Sequence, residues 1–155
     1  MSEILAAIEA WPLIADLRTS RWVYAAVNGL HIFGIALLVG AIVPLDLKLL
    51  GAWTGVQKVD LARVLVPVAA AGLTITMVTG LLMLATRARE YAAIDIVLIK
   101  LALVATGAAT ALVFHLCYGL ALAGASRRVS HAAAIVSLTC WLGALALGRA
   151  IGFVM

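Results

Sequence analysis

The sequence predicts an all-α protein: a four-helix transmembrane bundle with a short interfacial N-terminal amphipathic helix. Three observations lead there. Four apolar stretches, at about residues 22–45, 64–85, 94–123 and 132–155, each reach or exceed the ~20 residues that carry a helix across a bilayer core. The chain is 66% hydrophobic and 12% charged, whereas a soluble domain carries about 25% charged residues. Little of the 155 residues lies outside the stretches, so one integral membrane domain, 1–155, is expected, with the lipid bilayer around it.

Residues 3–17 are apolar with acids at Glu3, Glu9 and Asp16. They read as an amphipathic segment at the interface, with Trp11 at headgroup depth and Pro12 bending it. Glu3 and Glu9 stand where a signal peptide has its basic region, so the first span is expected to stay in the mature protein. Arg18 and Arg21 lead into that span, and Pro44 with Asp46-Leu47-Lys48 marks its far end. A loop with Gly51, Trp53 and Gly55 follows, and Pro67 sits near the start of span two, where proline is tolerated. Span two exits at Arg87, Arg89 and Glu90, and span three is expected to end at Gly124. The turn Ser126-Arg127-Arg128-Val129-Ser130 delivers span four, with Ser130 as a possible N-cap and His131 at the interface.

Four spans place both termini on one face. Arg18, Arg21, Arg87, Arg89, Lys100 and Arg149 fall toward that face, and Lys48, Lys58, Arg63, Arg127 and Arg128 toward the other. The split is too even for the positive-inside rule to set an orientation, although the acid-free Arg127–Arg128 turn tilts toward termini outside. The pI near 9.5 does not imply nucleic acid, because the basic residues are scattered near span ends as snorkelling anchors. Cys117 and Cys140 lie within apolar spans and read as small packing residues.

Small residues recur four apart at Gly72/Thr76/Gly80, Gly107/Ala111 and Gly148/Gly152. Such faces let helix backbones approach in lipid, for packing within the bundle, for a homodimer or for a membrane partner subunit. The same grooves have room for a flat cofactor or a lipid tail.

Ionisable groups inside a span are the first functional candidates. Tyr24, Asn28 and His31 form one stripe on the first span, with His31 about nine residues, or roughly 13 Å, in from the terminal face. Met77, Lys100 and Arg149 come to a similar level from the other spans. A histidine opposite a methionine can ligate haem iron, with Arg149 and Lys100 at the propionates. Alternatively Met77 and Met83 with the imidazole suit Cu(I). The plain alternative is that His31 satisfies itself on Asn28, Tyr24 or water. His115 looks across the Gly107/Ala111 groove near the opposite face, roughly 9–16 Å from the level of His31. That offset argues against both histidines holding one haem in one chain, though it allows two sites or one site shared across a symmetric dimer.

No HExxH, P-loop, GxSxG or intramembrane carboxylate pair occurs, and the acids Asp46, Asp60, Glu90 and Asp95 lie near span ends. These absences do not decide whether the chain is an enzyme. The absence of an inverted repeat or a proline-broken helix pair weighs against a secondary transporter.

The run Asn28-Gly-Leu-His31-Ile-Phe-Gly34-Ile-Ala-Leu-Leu-Val-Gly40, with Asp46-Leu-Lys48-Leu-Leu-Gly51 and the closing Gly148-Arg149-Ala-Ile-Gly152-Phe, resembles a small bacterial four-helix inner-membrane family of unassigned function. More distantly it resembles CopD-type copper-resistance membrane domains and the four-helix membrane domains of b-type cytochromes. The resemblance implies a multi-pass protein of the bacterial inner membrane. It also implies haem b or copper as cofactor, with His31 and His115 as the positions carried over as metal ligands. The leading expectation is therefore a haem- or metal-binding membrane protein in electron transfer or redox chemistry. The alternatives are a non-catalytic subunit or scaffold that docks through small-residue faces, and a small-molecule or ion permease.

Overall fold

The computed structural model describes residues 2–120, 122 and 124–154, and every described element is helical. The helices are α1 (Ser2–Glu9), α2 (Pro12–Thr19), α3 (Arg21–Leu49), α4 (Lys58–Thr86), α5 (Ala88–Ala92), α6 (Asp95–Tyr118) and α7 (Arg127–Val154). Helices α3, α4, α6 and α7 are long and apolar enough to cross a membrane.

The N-terminal segment is two helices rather than one bent one. Pro12 occupies the first position of α2, where its missing N–H is no loss. Ile14 and Leu17 bury one side of α2, while Trp11 and Leu13 stay exposed.

Helix α3 starts where the Ser20 hydroxyl accepts the Val23 N–H at 3.4 Å. It buries Gly34, Leu38, Ala41, Leu45 and Leu49, a spacing of three and four that keeps one face inward. Pro44 does not end it. The helix runs on to Leu49 with proline inside, as membrane helices tolerate when neighbours re-satisfy the backbone. Its 29 residues reach ~43 Å, so the last turn extends past the ~30 Å hydrocarbon core.

Helix α4 begins six residues before the apolar stretch, because its first turn is polar and solvated, with Asp60 and Arg63 paired at 3.9 Å. Helix α6 stops at Tyr118 rather than near residue 123. Gly119 follows with φ +70°, a left-handed stop suited to glycine. Leu120 and Leu122 beyond it are not helical, and Leu122 packs into a core of Leu45, Leu49, Ala62, Val66 and Ala134. Helix α7 starts at Arg127, five residues before the expected span. The Ser126 hydroxyl accepts the Val129 N–H at 3.4 Å, so Ser126 and not Ser130 caps the helix. Ser130 is buried one turn inside.

Helices α3 and α4 form the tightest pair. A β-carbon at Gly72 would stand 2.5 Å from the Leu38 nitrogen and 2.8 Å from the Gly34 oxygen; only glycine lets the backbones come this close. Gly107 of α6 likewise lies against Trp141 and Cys140 of α7. Helices α3 and α7 join the two pairs, whereas no residue of α4 has its Cα within 8 Å of one in α6 among the described residues. The four helices thus leave a seam between α4 and α6.

Candidate functional site

The Gly72 contact fixes the rotation of α4 against α3, and two turns further along it brings Thr79 and Gly80 opposite His31. Gly80 makes room for the ring: a β-carbon there would touch His31 Cε1 at 3.0 Å. The imidazole Nδ1 lies 2.9 Å from the Thr79 hydroxyl oxygen.

The direction of that bond follows from the threonine. Its hydroxyl proton is directed to the Ile75 carbonyl at 2.6 Å, which leaves the oxygen to accept. His31 Nδ1 therefore carries the proton and donates, and Nε2 keeps its lone pair. The Cε1–Nδ1 edge faces Gly80, so Nε2 is the nitrogen turned away from α4. Among the described residues it has no hydrogen-bond partner, and it is not a buried orphan atom.

The other expected residues divide. Lys100 of α6 is half-buried, with its ammonium 3.3 Å from the place a β-carbon of Gly148 would take, and it is near enough to act electrostatically on His31. Tyr24 and Asn28 are half-buried on the His31 helix toward the terminal face. Met77 stands about 100° round α4 from Thr76, on an exposed side of the helix, 42% accessible. Arg149 is exposed, its guanidinium carbon 4.4 Å above the Phe153 ring. His115 is on the last turn of α6 at the other end of the bundle, where Nδ1 lies 3.4 Å from the Gly119 carbonyl that it can donate to. His31 and His115 are not brought together. No cluster of three or more His, Cys, Asp or Glu side chains able to hold a metal occurs among the described residues. Both cysteines are free, Cys140 buried and Cys117 exposed.

Above Lys100 the bundle opens at the terminal face into a cleft of about 500 Å³ lined by Arg18, Tyr24, Arg87, Tyr91, Gly148 and Gly152 among others. The short helices build it: α2 supplies Arg18, the break after α4 supplies Arg87, and α5 supplies Tyr91. Burial raises the Tyr91 phenol above its ordinary range, with Tyr24 adding to the effect and Arg87 opposing it. Arg87 also pairs with Glu90 at 3.3 Å. One end of the bundle therefore holds an imidazole with a free ring nitrogen, an ammonium and, at the mouth, two guanidinium groups. Thr79, Arg18, Arg87 and Tyr91 were not visible as site residues in the sequence, because hydropathy reports depth and not helix rotation.

No protein-family model, curated protein or solved structure matches this chain.

Proposed function

We propose that this membrane protein binds an anionic redox cofactor of the haem class at its terminal end, with His31 Nε2 as the one ligand to the metal from within the chain. The observation that carries the reading is the Thr79–His31 contact. A ligating imidazole commonly donates its second ring N–H to a protein oxygen, which sets the tautomer and the ring orientation. His31 has that arrangement, its Nδ1 lying 2.9 Å from the Thr79 hydroxyl.

The cations suit the same group. Lys100 lies between His31 and the cleft, and Arg18 and Arg87 are at the mouth. Tyr24, which shares that cleft, is seven residues from His31, or ~10 Å along the helix. That is comparable with the reach from the metal of a porphyrin to its peripheral carboxylates. Haem would supply one-electron chemistry; the chain's own residues orient the ligand ring, neutralise the carboxylates and limit water to one end. Copper fits less well, because Met77 is turned outward.

A docking scaffold is the poorer reading on one specific ground. The small residues that would meet a partner are already covered inside the chain, Gly72 by α3, Gly107 by Trp141 and Gly148 by Lys100.

The test is the absorption spectrum of protein purified after haem-replete expression, oxidised and dithionite-reduced, with metal analysis of the same sample. A Soret band near one haem per chain, lost in His31→Ala and kept in His115→Ala, supports the proposal. Colourless protein without stoichiometric metal overturns it.

A further inference from the structure

The opposite end of the bundle holds a carboxyl group that the cofactor reading does not use. Asp46 lies on α3, 15 residues beyond His31, or ~22 Å along the axis. Its place near the end of an apolar stretch suggests a solvated acid. It is instead buried, with 5% of its surface exposed, and its Oδ2 atom has no hydrogen-bond partner. Leu45 and Leu49, its neighbours on α3, belong to the apolar core that α4 and α7 complete with Ala62, Val66 and Ala134.

Among the described residues no cation forms a salt bridge with it. Lys48, two residues on, donates to the Trp53 carbonyl at 2.8 Å and is held by the loop. On α4 the nearest charges in sequence are Lys58 and the exposed Asp60–Arg63 pair. On α7, Arg127 and Arg128 are exposed at the helix start, and His131 is half-buried one turn in. Among the described residues none of these forms a salt bridge with Asp46; the polar group beside it from another helix is Ser137 of α7. An ionised carboxylate so placed would be desolvated with a single hydroxyl and no cation to offset it, which costs several kcal/mol or more and drives such groups to take up a proton or a counter-ion. A single carboxyl and a hydroxyl are too few oxygens for a divalent cation.

We infer that Asp46 is a proton-binding site of the bundle, a carboxylic acid that exchanges its proton with the end of the molecule opposite the cleft lined by Arg18 and Tyr91. The distances favour that end. Asp46 is three residues from the end of α3, or ~5 Å. Ser137 and the buried Ser130 lie on one stripe of α7 leading the same way. The structure so places two titratable groups in opposite halves of one membrane domain, His31 toward the termini and Asp46 toward the loops. The inference stands apart from cofactor binding, because Asp46 touches no residue of the His31 site.

The test uses dicyclohexylcarbodiimide, an apolar reagent that adds to protonated carboxyl groups in apolar surroundings. The full-length protein in membranes is treated at neutral pH and its peptides are read by mass spectrometry. The peptide with Asp46 should gain the mass of one reagent at about tenfold or more the yield at exposed Asp60, and the gain should fall away as the pH is raised. Asp46→Asn, which keeps the shape of the neutral acid, should lose the adduct. The wild-type pH series alone decides the matter if that variant does not fold. Labelling of Asp46 no greater than that of Asp60 would overturn the inference. So would equal labelling by a water-soluble carbodiimide with an added amine, which would reveal a solvated carboxylate. Protection by sodium at constant ionic strength would replace the proton with an alkali cation and overturn it as well. Haem content does not enter these readouts, so the failure of either proposal is seen separately.

Discussion

Arg89 holds Glu9 by three contacts: its backbone N–H donates to Oε1 at 2.9 Å, its Nε to Oε2 at 2.9 Å, and its Nη2 lies 2.8 Å from Oε2. The two residues are 80 apart in sequence, and the bond fastens the N-terminal helix α1 to α5. Glu9 has 8% of its side chain exposed while Arg89 remains at the surface. A buried carboxylate that accepts from a backbone N–H and a guanidinium together is well satisfied.

The Arg89 backbone and side-chain hydrogen bonds hold the Glu9 carboxyl below the ordinary glutamate range. A carboxylate with a lowered folded-state pKa adds stability above its unfolded value, and the contribution disappears as pH falls through the lowered one. Docking of α1 and α2 is therefore expected to hold at neutral pH and to loosen in acid. Hydrogen exchange of the amides in residues 2–19 checks this. Glu9→Gln should show fast exchange there at neutral pH, with α3 and α4 still protected; unchanged protection would show that apolar contacts of Ile14 and Leu17 suffice.

Much of the fold is legible in apolarity alone, since four runs of membrane length admit few other folds. The helix ends are not. The sequence after Tyr118 is as apolar as the helix before it, so hydropathy carries no mark at Gly119, and the stop comes from backbone conformation. Pro44 misleads in the other direction, because a proline that ends a helix in water is carried inside one that neighbours surround. In the site, depth is legible and rotation is not. His31, Lys100 and Tyr24 are found at their expected end, whereas Met77, at the right level, is turned outward by the Gly72 contact that brings Thr79 and Gly80 to face α3. Asp46 is hidden by its position near a span end, where an acid is ordinarily solvated.

The backbone approach at Gly72 predicts a sharp contrast among glycines. Gly72→Ala puts a methyl group against backbone atoms of Leu38 and Gly34, which cannot give way without parting α3 from α4. The expected loss is about 1–3 kcal/mol, as for other overpacked sites. Gly40→Ala meets nothing within 4 Å and should leave stability level or slightly raised. Thermal or denaturant unfolding of the two variants in the same detergent measures the difference, and equal midpoints would refute the close packing.

Tyr91 predicts a late titration. Burial and Tyr24 hold its phenol neutral beyond the ordinary tyrosine range, so absorbance at phenolate wavelengths should include a step later than that of free tyrosine. The Tyr91→Phe variant should lack that step. The sign for stability is opposite to that of Glu9: a raised phenol pKa adds stability that is fully present below the unfolded value and is lost as pH rises through the folded one. An alkaline titration without that late step would place Tyr91 in solvent.

Thr79 sets the last prediction, because it separates a ligand-bearing histidine from one that is merely satisfied. Thr79→Val keeps the size of the side chain but removes the hydroxyl oxygen that accepts the Nδ1 proton, so the imidazole loses the contact that sets its tautomer and orientation. If His31 ligates a metal through Nε2, affinity for haem should fall by about 10–100-fold, the usual effect of losing such a support. Met77→Leu and His115→Ala should leave the affinity unchanged. Haem titration of the three variants, followed by the Soret band, gives the comparison directly. A Thr79→Val protein that folds and binds haem as tightly as the wild type would show that the Thr79 contact orders His31 for packing alone, with Nε2 serving no metal.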